Sequence, residues 1–471
     1  MKKILFILLM LSLSYKCLAQ KELIGFWEGA IEVMGTQLII KAEFIEENSS
    51  LSGKLDIPQQ LAIGLPLSNI QFSKDSASFE LFLSPGNIAS FSGILSKDSV
   101  QGDFSQSGVK GTFYLIKSEK KEEKTFFLPA EYIEEEVVFY NDDIKFTGTL
   151  SYPKAKGPFP AVILISGSGQ QERDEDVAGF KVFALIANYL SNTGFAVLRY
   201  DDRGMGGSDA GNLEEATSKT FAEDAFAAFS FLSKRKEIDP KKIGFLGHSE
   251  GAMIGTMLAA EHKEIAFLIL MAGPGITGEQ IVLSQIEAII RASGASEEEI
   301  QNAIESQKRI MEAVKTDRGW EEIKEMTIED LKKSIEELPA EARAEMDISD
   351  SALEERADLQ IKGVRSKWYR FFIQYDPAKD LEKVKCPVLA LFGEKDLQVL
   401  ANLNETAMKK ALEKAGNKNF TTKIFKDANH LFQKADSGLL DEYAFLEKKF
   451  VDGYLEYIID WLQENFTDKK R

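Results

Sequence analysis

The sequence predicts an α/β chain: a doubly wound, mostly parallel sheet interrupted by a helical cap insertion, preceded by an all-β sandwich or barrel. Three observations predict it. Near-continuous apolar runs separated by helical stretches recur from Pro160 onward, the pattern of strands buried on both faces of a parallel sheet. Before about residue 120, short runs alternate apolar and polar residues and are punctuated by turn residues, as in antiparallel sandwiches and barrels. Between Pro274 and about Asp376 no run reads as a buried strand, and Glu, Lys, Ala and Ile recur at helical spacing.

The elements follow in order. Lys2 and Lys3, the apolar run Ile4 to Leu13 and then Cys17-Leu18-Ala19 have the layout of a signal peptide over residues 1–19. The apolar run is too short to span a bilayer. Cleavage after Ala19 is expected, with export to the periplasm or the medium and no integral membrane span left. Tyr15 and Lys16 fit a lipid-attachment box at Cys17 poorly. Losing Lys2, Lys3 and Lys16 takes the net charge from −18 to −21. So acidic a balance argues against nucleic acid and against anionic membrane surfaces, which need clustered Lys and Arg. Cys386 is then the one cysteine remaining, so no intrachain disulfide can form. Ahead of Pro387 and a strand-like run it reads as a small buried hydrophobe.

Residues 20–118 form the predicted N-terminal β-domain, with strands such as Gln37 to Phe44 and Ser78 to Leu83. It carries no acid, base and nucleophile set, so a structural or substrate-docking role is expected; a lipid-binding barrel is the sharper alternative. Residues 119–130 read as a charged linker. Residues 131–273 and 377–471 make the α/β domain. Glu134 to Tyr140 and Phe146 to Leu150 look like a hairpin. Ala161–Ile165, Ala196–Tyr200, Ile243–Gly247, Ala266–Met271, Val388–Phe392 and Thr422–Phe425 are the expected strands. Residues 274–376 are the helical insertion, with helices expected over Glu297 to Val314 and Ile328 to Met346. It ends on the aromatic run Trp368-Tyr369-Arg370-Phe371-Phe372.

The chemical signal is Gly247-His248-Ser249-Glu250-Gly251, between the apolar strand ending at Leu246 and a helix beginning near Ala252. A nucleophile on a sharp strand-to-helix turn needs flanking residues without side chains. Ser249 is therefore the candidate nucleophile, and it needs a base with an orienting acid. The chain has three histidines. His248 lies inside the turn and reads as packed under it, and His262 reads as a solvated helix end. His430, just after the last strand, is left as the base. Asp396 in Gly393-Glu394-Lys395-Asp396 follows the preceding strand and is the expected acid, with Glu394 its competitor. The expected oxyanion donors are the backbone amides of Glu250, directly after the nucleophile, and Ser168, in Ser166-Gly167-Ser168-Gly169. Asp202-Arg203-Gly204 reads as a structural turn. Glu172-Arg173-Asp174 reads as a solvated loop, or else as a place where Arg173 binds a substrate carboxylate. Trp368, Phe371 and Phe372 are candidates for lining an acyl pocket, or for pinning the insertion to the core.

Ser166 to Gly169, Asp202 to Ser208, Gly247 to Gly251, Gly393 to Asp396 and Asn429-His430 together make residues from about 130 to 465 resemble an α/β hydrolase. The resemblance is to the bacterial carboxylesterase group, and the chain is similar also to the serine aminopeptidase and dienelactone hydrolase branches. The Trp27-Glu28-Gly29 start and the strands after it are similar to the β-domain ahead of some bacterial esterases. The nucleophile, acid and base occur in the α/β-hydrolase order. One departure is that the oxyanion strand ends in Ser166-Gly167 where His-Gly is usual. The resemblance implies hydrolysis of a small-molecule ester through an acyl-enzyme, a cap over the pocket, and need of neither metal nor organic cofactor. A peptidase or thioesterase on the same triad is the alternative, and a non-catalytic binding protein is the third reading.

Overall fold

The computed structural model describes residues 23–467 apart from 34–35, 48–49, 61, 74, 85–86, 107–108, 120–125, 337–342 and 344–347. The expected signal peptide, with Cys17, and half of the expected linker lie outside the described residues. The chain divides into two compact units, Met1–Lys124 with Lys324–Leu359, and Thr125–Ile323 with Gln360–Arg471. Among the described residues no helix is long and apolar enough to cross a membrane.

The first unit contains eight strands: β1 (Gly25–Val33), β2 (Thr36–Glu47), β3 (Ser50–Ile57), β4 (Ala62–Ser73), β5 (Ser76–Ser84), β6 (Asn87–Ser96), β7 (Ser99–Gln106) and β8 (Val109–Ser118). Each pairs with the next, and β1 pairs antiparallel with β8, so the sheet is a closed barrel and not a sandwich. Period-two alternation explains which residues turn inward. On β5, Ala77, Phe79 and Leu81 are buried, while Ser78 and Glu80 between them are not. An eight-stranded barrel is just wide enough for side chains to fill. Here Phe44, Phe79, Phe91, Phe104 and Phe113 fill it, with ring centroids 4.7 to 5.8 Å apart. Trp27 is also fully buried, its indole donating to the Leu23 carbonyl at 2.8 Å. The lipid-binding alternative thus meets an interior packed with the barrel's own rings.

The second unit opens on β9 (Tyr132–Asn141) and β10 (Ile144–Pro153), the expected hairpin, and β11 (Phe159–Ile165). A two-stranded turn, β12 (Asp176–Val177) with β13 (Phe180–Lys181), leads into α1 (Val182–Asn192). Then come β14 (Ala196–Tyr200), α2 (Ser218–Leu232), β15 (Ile238–His248), α3 (Glu250–Glu261) and β16 (Leu268–Met271).

Along the chain the helical insertion follows as α4 (Gly278–Ala292), α5 (Glu297–Thr316), α6 (Trp320–Glu336), α7 (Asp350–Val364) and α8 (Lys367–Gln374), with its Lys324–Leu359 stretch counted in the first unit. Capping boxes start α4 at Thr277 with Gln280 and α5 at Ser296 with Glu299. The second expected helix begins earlier than Ile328. Asp317 ends α5 in a left-handed conformation (φ 55°), Gly319 (φ 78°) completes the turn, and Trp320 starts α6 with its indole on Asp317 at 2.8 Å. Met311, Val314 and Ile373, with Trp320 and Phe372 against them, form a small core of their own.

The last elements are α9 (Ala378–Leu381), β17 (Val388–Gly393), α10 (Ala401–Lys414), β18 (Phe420–Phe425) and α11 (Tyr454–Phe466). The sheet order is β18-β17-β16-β15-β11-β14-β10-β9. The strands from β18 to β14 run parallel, and the β9–β10 hairpin is antiparallel at the edge. Cys386 is half-buried just before β17, and burial pushes its thiol up to about 12. That fits the inert reading.

Candidate active site

Parallel strands deliver their C-terminal loops to one edge of the sheet. The loops after β11, β14, β15, β17 and β18 carry most of the residues singled out above. β15 passes into α3 through Ser249, whose backbone sits at φ 53° and ψ −114°, a strained geometry for a residue with a side chain. Steric contact explains the glycines on either side. A Cβ on Gly247 would stand 2.1 Å from the Gly251 carbonyl oxygen, and one on Gly251 would stand 2.1 Å from that of Ile165. The Ser249 amide donates to the Met271 carbonyl on β16 at 2.8 Å and pins the turn. Ser249 is half-buried.

His430 and Asp396 come together from the loops after β18 and β17. Nδ1 of His430 lies 2.8 Å from Oδ2 of Asp396, and both side chains are buried. Oδ1 of Asp396 accepts the amides of Gln398 and Val399 at 2.8 and 2.9 Å, which orients Oδ2 toward the imidazole. Asn429 shapes the other loop, its side-chain oxygen accepting the amides of Leu431 and Gln433. Glu394, the competing acid, is exposed and accepts the Asp427 amide at 3.0 Å. No hydrogen bond joins Ser249 to His430 among the described residues; such contacts often tighten only with substrate bound.

Glu250 is the first residue of α3, so its amide has no acceptor within the helix, and the helix dipole is positive there. Ser168 lies exposed in the loop after β11. That loop meets the turn: a Cβ on Gly167 would lie 3.5 Å from the Ser249 Cβ. The Gly167 amide is occupied by Oε1 of Glu175 at 2.8 Å, while the Ser168 amide makes no hydrogen bond among the described residues.

Several neighbours differ from expectation. Arg173 is half-buried and engaged within the protein, where a solvated loop or a cation for a substrate carboxylate was expected. Its guanidinium bonds Asp201 at 2.7 and 3.0 Å, Glu136 at 2.6 Å and Thr149 at 2.7 Å, so every nitrogen is committed within the protein. None of the sequence motifs singles out Glu175. It is buried and holds His248 Nδ1 at 2.8 Å; its signal was the charged run Glu172 to Asp176 directly after the oxyanion loop. His262 stacks on Phe226, centroids 3.7 Å apart, and is half-buried where a solvated helix end was expected.

The aromatic run of α8 splits three ways. Trp368 donates its indole N–H to Oε1 of Glu250 at 2.8 Å, an oxygen that also accepts from Ser218. Burial raises the Glu250 carboxyl above its usual range. Phe372 stacks on Trp368 and packs into the insertion's core. Phe371 lines a crevice with Tyr140, Phe226 and His262. A cavity of about 30 Å³ beside the turn is lined by Ile165, Ser166, Gly167, Tyr200, Asp202 and Glu250, among others. Burial pushes Asp202 there up to about 7, against its hydrogen bonds from the Ser166 hydroxyl and the Gln171 amide. Arg203 pairs with Asp224 at 2.5 Å, as a structural turn requires. No group of three His, Cys, Asp or Glu among the described residues is placed to hold a metal ion.

The family described as serine aminopeptidase, S33 matches residues 179–434, more than half of the chain. The chain belongs to this family of α/β hydrolases. The match takes in Ser249, Asp396 and His430, and the family's fold is the one described for the second unit. The chain is 28% identical over 359 residues to the esterase EstD of Thermotoga maritima, covering 75% of this chain and 73% of that protein. Solved structures similar to it include the Pyrococcus furiosus esterase Pf2001, at 15% identity and a TM-score of 0.43, covering 72% of this chain and 95% of that one. The α/β hydrolase GrgF from Penicillium sp. sh18, at 17% identity and a TM-score of 0.44, covers 72% of this chain and is itself fully covered, at 100%.

Proposed function

We propose that the protein is an exported serine hydrolase that cleaves small-molecule carboxylic esters, with Ser249, His430 and Asp396 as its catalytic triad. The observation that carries this reading is the buried Asp396–His430 pair beside a strained Ser249 in a chain of the α/β-hydrolase family. Asp396 keeps the proton on Nδ1 of His430 and leaves Nε2 as the base. Nε2 takes the Ser249 proton as Oγ attacks the ester carbonyl. The amides of Ser168 and Glu250 receive the oxyanion. The alcohol leaves with the proton held by His430, and water, activated by the same imidazole, releases the acid from the acyl-serine. The similarity to an esterase across three quarters of the chain favours the ester as substrate. Cleavage after Ala19 releases the mature chain to the periplasm or the medium, and N-terminal sequencing of the protein from its native compartment checks that step.

An acyl-chain-length series of p-nitrophenyl esters, run with Ser249→Ala as control, tests the proposal. Turnover unchanged in that variant sinks it. The family description also favours an aminopeptidase on the same triad. Against that, the buried acids nearest the turn already accept hydrogen bonds, Asp202 from Ser166 and Gln171, and Glu250 from Ser218 and Trp368. They are poorly placed to receive a substrate ammonium as well. Aminoacyl anilides cleaved faster than the esters would favour the peptidase. Failure of a fluorophosphonate to label Ser249 would leave the binding-protein reading.

A further inference from the structure

The chemistry proposed above leaves one buried group unused. His248 Nδ1 lies 2.8 Å from Oε1 of Glu175, and Nε2 lies 3.1 Å from the carbonyl oxygen of His430. The same Glu175 oxygen accepts the Gly167 amide at 2.8 Å. One imidazole and one carboxylate therefore touch the loop that offers Ser168, the residue before Ser249, and the backbone of the base. His248 and Glu175 are 4% and 1% exposed, so no solvent shares these bonds.

The partners decide where the protons are. A carbonyl oxygen only accepts, so Nε2 carries a proton. An ionised carboxylate also only accepts, so Nδ1 carries one too, and neutral imidazole has a single N–H. A neutral Glu175 would have to donate from an oxygen that already receives an amide N–H, a bond that suits an ionised acceptor better. The backbone supplies a second observation. Glu175 holds φ 48°, left-handed for a residue with a side chain, and such strain persists where the surroundings demand it. Among the described residues its other oxygen is buried without a hydrogen-bond partner, a second cost that the surroundings must offset.

We propose that His248 and Glu175 form a buried imidazolium–carboxylate clamp that positions the His430 backbone and the Gly167–Ser168 loop for the reaction. The clamp rests on the assignment of Ser249 and His430 made above, and both of its members are positioning residues. The charged and titratable groups around it are Asp396 and the His430 ring, 4.7 Å from that of His248, with Asp202 and Tyr454 near Glu175. Burial lowers the His248 pKa, but Glu175 and Asp396 outweigh it and hold the imidazole above its ordinary value.

Nitrogen-15 NMR of histidine-labelled wild-type protein reads the clamp directly, because the chain has three histidines. His262→Gln and His430→Gln assign the signals. His248 is expected with both nitrogens protonated at neutral pH; a ring with one bare nitrogen overturns the proposal. This readout needs no variant of the clamp to fold. Glu175→Ala and His248→Asn, checked for folding by circular dichroism, are each expected to lower kcat by ~10- to 100-fold with KM little changed, as for a misplaced catalytic group. Fluorophosphonate labelling of Ser249 should slow in parallel. The double variant should be no worse than either single one, as for residues acting as a unit. Folded variants with wild-type kcat, or losses that multiply, overturn the clamp. Ser249→Ala separates the two failures: turnover surviving there overturns the triad itself, whereas a dead Ser249→Ala beside a fully active His248→Asn overturns only the clamp.

Discussion

A serine hydroxyl is a weak nucleophile until a base and a set of dipoles are placed around it. For Ser249 the proposed placement draws on three loops, and each can be probed separately. Ser249→Ala is expected to cut kcat/KM for aryl esters by at least about 10³-fold, and Asp396→Asn by on the order of 10³- to 10⁴-fold. Asparagine keeps the shape but donates to Nδ1, so the imidazole carries its proton on the wrong nitrogen; equal turnover by Asp396→Asn would rule the role out. Asp202 gives a stability prediction. Its carboxyl titrates near 7 when folded, above its ordinary 3.8. It stays protonated in the fold while the unfolded chain ionises, so wild-type stability is full below about pH 4 and falls as pH rises from there to about 7. Asp202→Asn removes that loss. The stability of the variant relative to wild type should therefore be higher at pH 8 than at pH 5, by up to ~2.5 kcal/mol, read as a difference in melting temperature; no pH dependence in the difference would contradict the shift. The strand-to-helix turn at Ser249 and the Asp396–His430 contact were legible as candidates because a glycine-flanked serine, three histidines and strand positions leave few choices. Glu175 and the true partners of Arg173 were not, because they depend on a left-handed residue and on contacts such as Arg173 to Glu136 that sequence spacing does not encode.

At the scale of elements, the turn between β15 and α3 is set by backbone crowding. Gly251 leaves no space for a methyl group, since its Cβ would collide with the carbonyl oxygens of Ile165 and Ser166 at 2.1 and 2.6 Å. Backbone cannot yield as a flexible side chain can, so Gly251→Ala must push α3 off β11 and carry the Glu250 amide with it. Ester turnover should fall by ~10²-fold or more, since small misplacements near the chemistry are costly. Near-normal kcat in a folded Gly251→Ala protein would show that the turn tolerates the shift. The buried strands were read well from the sequence because continuous apolar runs have one explanation in a parallel sheet. The insertion was read less well. Its helices are amphipathic and rich in charge, so their limits depend on caps. The left-handed Asp317 that ends α5 and lets α6 start at Trp320 has no signature in the periodicity. Whether the β-domain was a sandwich or a barrel hung on one pairing, β1 with β8, between segments about 80 residues apart, which local patterning cannot specify.

The two units have separate hydrophobic cores. The barrel core holds Trp27, Phe44, Phe79, Phe91 and Phe113, and the sheet core holds Phe146, Ile163, Leu198, Phe245 and Phe392. Among the described residues none belongs to both. The candidate active site draws every residue from the second unit. A cavity cut into the barrel should therefore lower the stability of one unit and leave the chemistry of the other in place. Phe79 is the residue to cut: it is 1% exposed and makes close ring contacts with Phe44, Phe91 and Phe113. Phe79→Ala should cost the barrel ~3–5 kcal/mol, moving its unfolding to lower temperature by calorimetry. Ester turnover, followed through the same heating, should keep its wild-type midpoint and its wild-type kcat below the first transition. If turnover is lost together with the barrel, the barrel contributes to substrate binding or to the stability of the catalytic unit, and the substrate-docking role expected of it gains its first support. A change in KM alone below that transition would point to docking, and a drop in the midpoint alone to stability.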